Sequence, residues 1–221
     1  DGFTVFVHGA LPGEKVSVKL FQVKKSYASG RILNIIEESP QRVKPQCAFY
    51  EKCGGCQLQH LNYEGQLSVK RQQVKDAIER IGHITGCEVL PVLGMENPWH
   101  YRNKMQFPAA KTEGKIQIGC YAALTHNVIN IDDCLIQKQA NNKIMQVVRQ
   151  WMQQFDISAY DETTGKGVVR HVMGRAGAKT GEVMAVIVTA CYDIPHAGEL
   201  VTMLKTEVDG LKSIVQNINK K

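Results

Sequence analysis

The chain has 221 residues, 43% apolar and 22% charged, with a formal net charge of +6. This is ordinary globular composition and suits one large or two small domains. No run of about 18 apolar residues is present, which excludes a helix of membrane-spanning length, and seven cysteines spread over so long a chain do not form a small secreted disulfide scaffold.

Taken in chain order, residues 1 to about 43 read as all-β. TVFV at 4–7 leads into the turn signal ALPGE, then VSVKLFQV at 16–23 and RILNIIEE from 31. Three strands cannot close a barrel, so this module is expected to have a strand upstream or to lean on the rest. The chain opens on Asp1 and not Met, in keeping with upstream sequence. Ser39-Pro40 through Lys44-Pro45 reads as a linker. A helix is predicted over about 63–81, with Leu67, Val74, Ile78 and Ile81 at helical spacing and Gly82 as its stop. From 88 to 134 the pattern is strand-like: EVLPVLG, YRNKMQF, KIQIGCY and NVINI. A second helix follows at about 140–155, then strands VVRHVMGR and EVMAVIVTA, a helix between Pro195 and Gly210, and a last strand, LKSIVQNI. That order predicts a mixed α/β (α+β) fold with antiparallel hairpins.

The segment CAFYEKCGGCQLQH holds Cys47, Cys53 and Cys56 as C-x5-C-x2-C. A zinc site prefers two close pairs, or a pair with two histidines, and His60 has no such companion. An iron–sulfur cluster accepts three local cysteines and one distant one. Gly54 and Gly55 suit a loop folded tightly about a cluster. The fourth ligand is one of Cys87, Cys120, Cys134 and Cys191. Cys120 and Cys191 lie in apolar strand patterns, where a cysteine is usually a small buried hydrophobe. Cys134, after Asp132-Asp133 at a strand end, is the favoured candidate.

DGFTVFVHGALPGE, CAFYEKCGGCQLQHLNYEGQLSVKRQQV, NPWHYRNKMQF, INIDDCLIQ and VVRHVMGR…TGEVMAVIVT together resemble the S-adenosylmethionine-dependent RNA uracil-5-methyltransferases with a TRAM domain and a [4Fe–4S] cluster. The resemblance implies a partial OB-like TRAM β-barrel over residues 1–43. It implies a central α/β domain over 44–221 that carries the iron–sulfur loop. In that family the segment aligned with INIDDC supplies the fourth ligand, so the implied set is Cys47, Cys53, Cys56 and Cys134. A Rossmann-like methyltransferase domain, with the adenosylmethionine site and the catalytic cysteine and carboxylate, is expected beyond Lys221. No residue of this chain is therefore assigned as catalytic or as an adenosylmethionine ligand, and the chain alone is expected to be inactive. The helix at 63–81 is expected to lose its cover against that domain and to promote self-association. Transfer to C5 of a uridine in 23S ribosomal RNA is the leading expectation, in the cytoplasm. Transfer RNA and a free-standing metal-stabilised RNA-binding module are the alternatives, and an iron–sulfur electron carrier is disfavoured.

RNA contacts are expected from cations. Residues 163–181 contain no acid but hold Lys166, Arg170, Arg175 and Lys179. The candidates are Arg102 and Lys104, two apart on one strand face, then Arg170, His171 and Arg175, with Lys19, Lys24, Lys25 and Arg31 in the TRAM segment. Tyr101 and Phe107 are candidate stacking residues.

Overall fold

A computed structural model describes residues 2–220, which divide by contact into two units. One comprises residues 2–46 and 57–95, the other 47–56 and 96–220. The division thus falls elsewhere than between residues 43 and 44: the helical segment after the cysteine loop groups with the N-terminal sheet.

In the first unit, strands β1 (Thr4–His8), β2 (Lys15–Val23) and β3 (Tyr27–Glu37) form a sheet of order β1-β3-β2. β1 runs parallel to β3 and β2 antiparallel to it, with β2 interrupted by bulges. Phe6, Phe21, Val23 and Ile36 are each more than half exposed, so this three-stranded sheet is open. The Glu14 carboxylate braces it. Glu14 accepts hydrogen bonds from Leu11 N (2.9 Å) and Ser39 N (3.3 Å), and from Arg42 Nε (2.5 Å) and Nη2 (2.7 Å). Arg42 Nη2 also donates to Gly9 O at 2.7 Å.

Residues 39–45, expected as a linker, are instead tied down. Val43 N donates to His60 O (3.0 Å) and Asn62 N to Gln41 O (2.9 Å). Helix α1 (Tyr63–Asp76) starts where Asn62 caps it, its side chain accepting from Gly65 N at 2.8 Å. It passes into a π-helical turn at Ala77–Ile81, and Gly82 N closes on Ala77 O at 2.9 Å. Val74 and Ile81 of the predicted stripe are exposed.

EVLPVLG at 88–94, predicted as a strand, forms none. Pro91 removes a ladder donor, and α1 takes up the segment's polar groups: Arg71 Nε donates to Val89 O (2.8 Å) and Met95 N to Tyr63 Oη (2.7 Å). Leu90 and Leu93 are left exposed.

The second unit is built on a six-stranded sheet of order β6-β5-β4-β7-β8-β9. Its strands are β4 (Lys104–Thr112), β5 (Lys115–Tyr121), β6 (Val128–Asn130), β7 (Val169–Ala176), β8 (Val183–Thr189) and β9 (Leu211–Ile218). All pairings are antiparallel except β8 with β9, which are joined by the crossover helix α3 (Ala197–Glu207). Helix α2 (Gln139–Gln154) presents Ile144, Met145, Val148, Trp151 and Met152 to a core shared with Met105 and Phe107 of β4, Ile118 of β5 and Val172 of β7. The fully buried Trp151 donates its indole N–H to His196 O at 2.9 Å, which anchors the entry to α3. Phe107 belongs to this core and is not available to stack on a base. The fold is mixed α/β, as the element order predicts.

Arg102 does not lie on a strand with Lys104. It forms an isolated bridge to Gln137, and β4 begins only at Lys104. Arg102 N donates to Ile136 O at 2.8 Å and its carbonyl accepts from Lys138 N at 3.1 Å, so the chain here is held by the segment leading into α2.

Candidate functional site

The cysteine loop 47–56 belongs to the second unit and is laid onto the end of β5. Cys47 O accepts from Tyr50 N (3.1 Å), and Cys53 N donates to Phe49 O (2.7 Å), which turns the chain back sharply. Gly54 N then donates to Tyr121 O (3.0 Å), and Cys53 bridges Ala122. Gly54 is favoured by close approach, whereas Gly55 has only ordinary contacts around it. A Cβ on Gly54 would stand 3.0 Å from Tyr121 O, and one on Gly55 would stand 3.4 Å from Cys53 Sγ and 3.6 Å from Cys120 Sγ.

Cys134 is brought to this loop by α2. Three side chains at helical spacing, Asn142, Gln146 and Arg149, grip the turn that ends in Cys134. The buried Asn142 accepts from Cys134 N (3.2 Å) and donates to Cys134 O (3.2 Å) and to Asp133 Oδ1. Gln146 Nε2 donates to Asp132 O at 2.8 Å. Arg149 donates to Asp132 Oδ1 (2.7 Å), to Ile118 O (2.9 Å) and to Ile131 O, joining β5 to the residues that follow β6. Gly119 permits that join, because a Cβ there would lie 2.0 Å from Ile129 O.

The result is a set of thiols in one another's fields. Burial pushes the Cys134 thiol up, Cys56 and Cys53 push it the same way, and N–H donors from Ile136 and Gln137 pull against them. Cys53 is held down to about 6, first by the Cys120 S–H that donates to it and then by Gly55 N–H at 3.3 Å, against the opposing effect of burial. Cys120 is pushed up by that same bond and by burial, with the Cys53, Cys134 and Cys56 charges adding to both. None of these cysteines is in a disulfide. Among the described residues, no three His, Cys, Asp or Glu side chains converge tightly enough for a single metal ion. A polynuclear cluster asks for something different: thiolates spread around an inorganic core and amides directed at sulfur. Cys53, Cys56 and Cys134, with amide donors to two of their sulfurs, suit that donor chemistry.

Spacing alone pointed away from Cys120, which sits in the apolar pattern of β5. It meets Cys53 only because loop 47–56 is registered on that strand. Asn142 and Arg149 carried no motif at all, and only their helical spacing behind Asp132-Asp133-Cys134 marks them.

The predicted cations fall into two pairs and a cleft. Lys104 and Arg175 are directly opposite on β4 and β7, both exposed, on the sheet face away from Met105 and the core. His171 lies on the same strand face opposite Pro108, and burial lowers its pKa. In the first unit Lys19 and Arg31 are opposite on β2 and β3, again exposed, with Lys24 and Lys25 exposed at the turn that follows β2. Like charges directly across a ladder are destabilising on their own, and an anion laid across them relieves the repulsion.

Arg170 lies over the Tyr160 ring, 4.2 Å from its centroid. Both line a cleft of about 630 Å³ with Tyr121, His126, Lys166 and His171. The Tyr121 and His126 rings stack 5.1 Å apart on its wall. A second cleft of about 460 Å³ shares Pro108, Tyr121 and His171 with the first and extends to Gly54, Gly55 and Cys120. Aromatic rings, cations and the cysteine loop thus line adjoining hollows of one unit. Tyr101, the other stacking candidate, is exposed.

The chain is similar to known proteins over nearly its whole length. Residues 1–33 match the TRAM domain. Beyond the TRAM segment the likeness continues over the whole chain. It is 48% identical over 219 residues, 99% of its length, to an uncharacterized RNA methyltransferase of Clostridium tetani. It is 44% identical over 221 residues to one of Halalkalibacterium halodurans. The chain spans about half the length of these relatives, 47% and 48%. Its fold matches that of Pyrococcus abyssi tRNA (uracil-54, C5)-methyltransferase, solved with S-adenosyl-L-homocysteine. The TM-score is 0.67 at 24% identity, covering 98% of this chain and 47% of that one. Among the described residues no helix is long and apolar enough to cross a membrane.

Proposed function

We propose that the chain is the RNA-recognition part of an S-adenosylmethionine-dependent RNA (uracil-5-)-methyltransferase. The observation that carries this reading is 48% identity, across 99% of the chain, with a protein named as an RNA methyltransferase. The cysteine segment and INIDDCLIQ narrow it to the uracil-5 class. The proposed substrate is a uridine of 23S ribosomal RNA, with transfer RNA as the second reading. Methylation of each RNA by the complete protein, with the product nucleoside identified, separates the two. A free-standing RNA-binding module would methylate neither.

In this reading Cys47, Cys53, Cys56 and Cys134 hold a [4Fe–4S] cluster, which when bound supplies a covalent cross-link. Addition of a nucleophile to C6 of uracil and methyl transfer to C5 call for no electron. Loop 47–56 and the turn held by Asn142 and Arg149 then act as one rigid piece beside the aromatic cleft. Cysteines clustered at this density with none in a disulfide suit a reducing compartment, so the proposed location is the cytoplasm.

A base methylated at C5 has to leave its stack. The cations position the backbone while the aromatic rings offer faces to unstacked bases. Lys104 with Arg175, and Lys19 with Arg31, are the proposed phosphate pairs. Lys24, Lys25, Arg102, Arg170 and His171 support them. If about four phosphates of single-stranded RNA are neutralised, log K against log salt has a slope of roughly −3. Changing Lys104 and Arg175 together to glutamate is expected to reduce that slope by at least about 1 and to weaken binding about equally across sequences. Titrations of a labelled single-stranded RNA between low and physiological salt check this, and a flat dependence rejects it.

A further inference from the structure

We propose that Cys53 and Cys120 are a peroxide-sensitive dithiol that closes to a disulfide when no cluster is bound, holding loop 47–56 in a form that does not take up iron. This rests on the reading of loop 47–56 as a cluster loop. Cys120 itself lies outside the C-x5-C-x2-C motif and outside the four ligands implied by the family resemblance. Its partner is fixed by backbone geometry. Gly54 N bonded to Tyr121 O and the bridge between Cys53 and Ala122 lay the loop along the end of β5. Both sulfurs consequently flank one empty position, 3.4 and 3.6 Å from where a Gly55 Cβ would stand. Cys53 and Cys120 are both part-exposed, and Cys120, Gly54 and Gly55 line the cleft of about 460 Å³. Cys191 is engaged elsewhere, 3.1 Å from Asp193 O, and Cys87 belongs to the other unit.

The chemistry closes with hydrogen peroxide as the oxidant. The Cys53 thiolate attacks one peroxide oxygen and the O–O bond breaks, giving a sulfenic acid and, after protonation, one water. The Cys120 thiolate displaces the sulfenic hydroxyl, which leaves as a second water when protonated. Two thiols are oxidised to one disulfide and one peroxide is reduced to two waters.

The test uses the full chain, stripped of metal by chelator under reducing conditions, freed of reductant and treated with one equivalent of hydrogen peroxide. Non-reducing peptide mapping is expected to recover the peptide of Cys53 joined to that of Cys120. Cys53 shares its tryptic peptide with Cys56, and Cys120 shares its own with Cys134, so variants make the assignment. The linkage is expected to persist in Cys56→Ser and Cys134→Ser and to vanish in Cys53→Ser and Cys120→Ser. In Cys120→Ser, Cys53 is expected to be trapped as a sulfenic acid by dimedone. Iron uptake by the oxidised wild-type chain is expected to fall at least ten-fold and to return with dithiothreitol. Linkage retained in Cys120→Ser, or a dominant link through Cys47 or Cys134, overturns the proposal, as does iron uptake unchanged by oxidation. A reduced chain that takes up no iron rejects the cluster reading instead, while the mapping still decides whether the dithiol exists.

Discussion

Glu14→Gln is expected to destabilise the N-terminal unit by about 3 kcal/mol at neutral pH. The Glu14 side chain is fully buried and Arg42 nearly so, at 0% and 14% exposure. Their two-pronged contact, with Leu11 N and Ser39 N on the same carboxylate, satisfies the charge on all sides. Glutamine keeps the shape but presents an amide N–H to the guanidinium, which leaves a buried cation without its counter-ion. Arg42 holds the Glu14 carboxyl down to about 2, well under its ordinary 4.5, with Leu11 and Ser39 assisting and burial opposing. A lowered folded pKa contributes stability above the unfolded value and loses it as pH falls. The wild-type unit is therefore expected to keep this contribution above about pH 4.5 and to lose about 3 kcal/mol of it on the way down to pH 2. Denaturant melts at a series of pH values check both points. In Glu14→Gln the acid-dependent loss should largely disappear, and the variant should already be weak at pH 7. A variant as stable as wild type would mean that the TRAM segment is braced by something other than this carboxylate.

Arg149→Met is expected to cost the second unit about 3 kcal/mol, most of it from charge-assisted bonds to two buried carbonyls. Methionine fills much of the aliphatic volume, so the loss isolates the guanidinium. Its contacts to Ile118 O, Ile131 O and Asp132 set where the chain turns into Cys134. Loss of thermal stability should thus come with loss of iron loading, although residue 149 is no metal ligand. Gln146→Ala makes the useful comparison. It removes one bond, to Asp132 O, and should cost about 1 kcal/mol with iron retained. Equal iron content in wild type and Arg149→Met, measured on folded protein, would separate the arginine from the site.

What could be read along the chain was what is local. The spacing of Cys47, Cys53 and Cys56 with two glycines is a property of ten consecutive residues. Helix α2 was visible because its apolar residues recur at the period of a buried face. Non-local geometry was not visible. Cys120 reads as a core residue of β5, and partly it is one; its meeting with Cys53 depends on which strand end the loop lies against. EVLPVLG has the alternation of a strand but lies against α1 through Arg71 and Tyr63, and Pro91 removes a ladder donor from it. Residues 39–45 look like a linker by composition, yet Glu14, 25 residues upstream of Ser39, fixes them through Ser39 and Arg42. Arg102 and Lys104 are two apart but differ in kind, since one precedes the strand and the other opens it.

In the proposed site, four thiols from loop 47–56 and position 134 hold iron and sulfide. Anaerobic iron and acid-labile sulfide analysis, read with absorption near 400 nm, tests it most directly. Coordination by these residues predicts about four of each per chain. Serine at 47, 53, 56 or 134 in turn should abolish the signal, and Cys87→Ser or Cys191→Ser should preserve it. Colourless protein with zinc and no sulfide, or full iron content in Cys134→Ser, would contradict it.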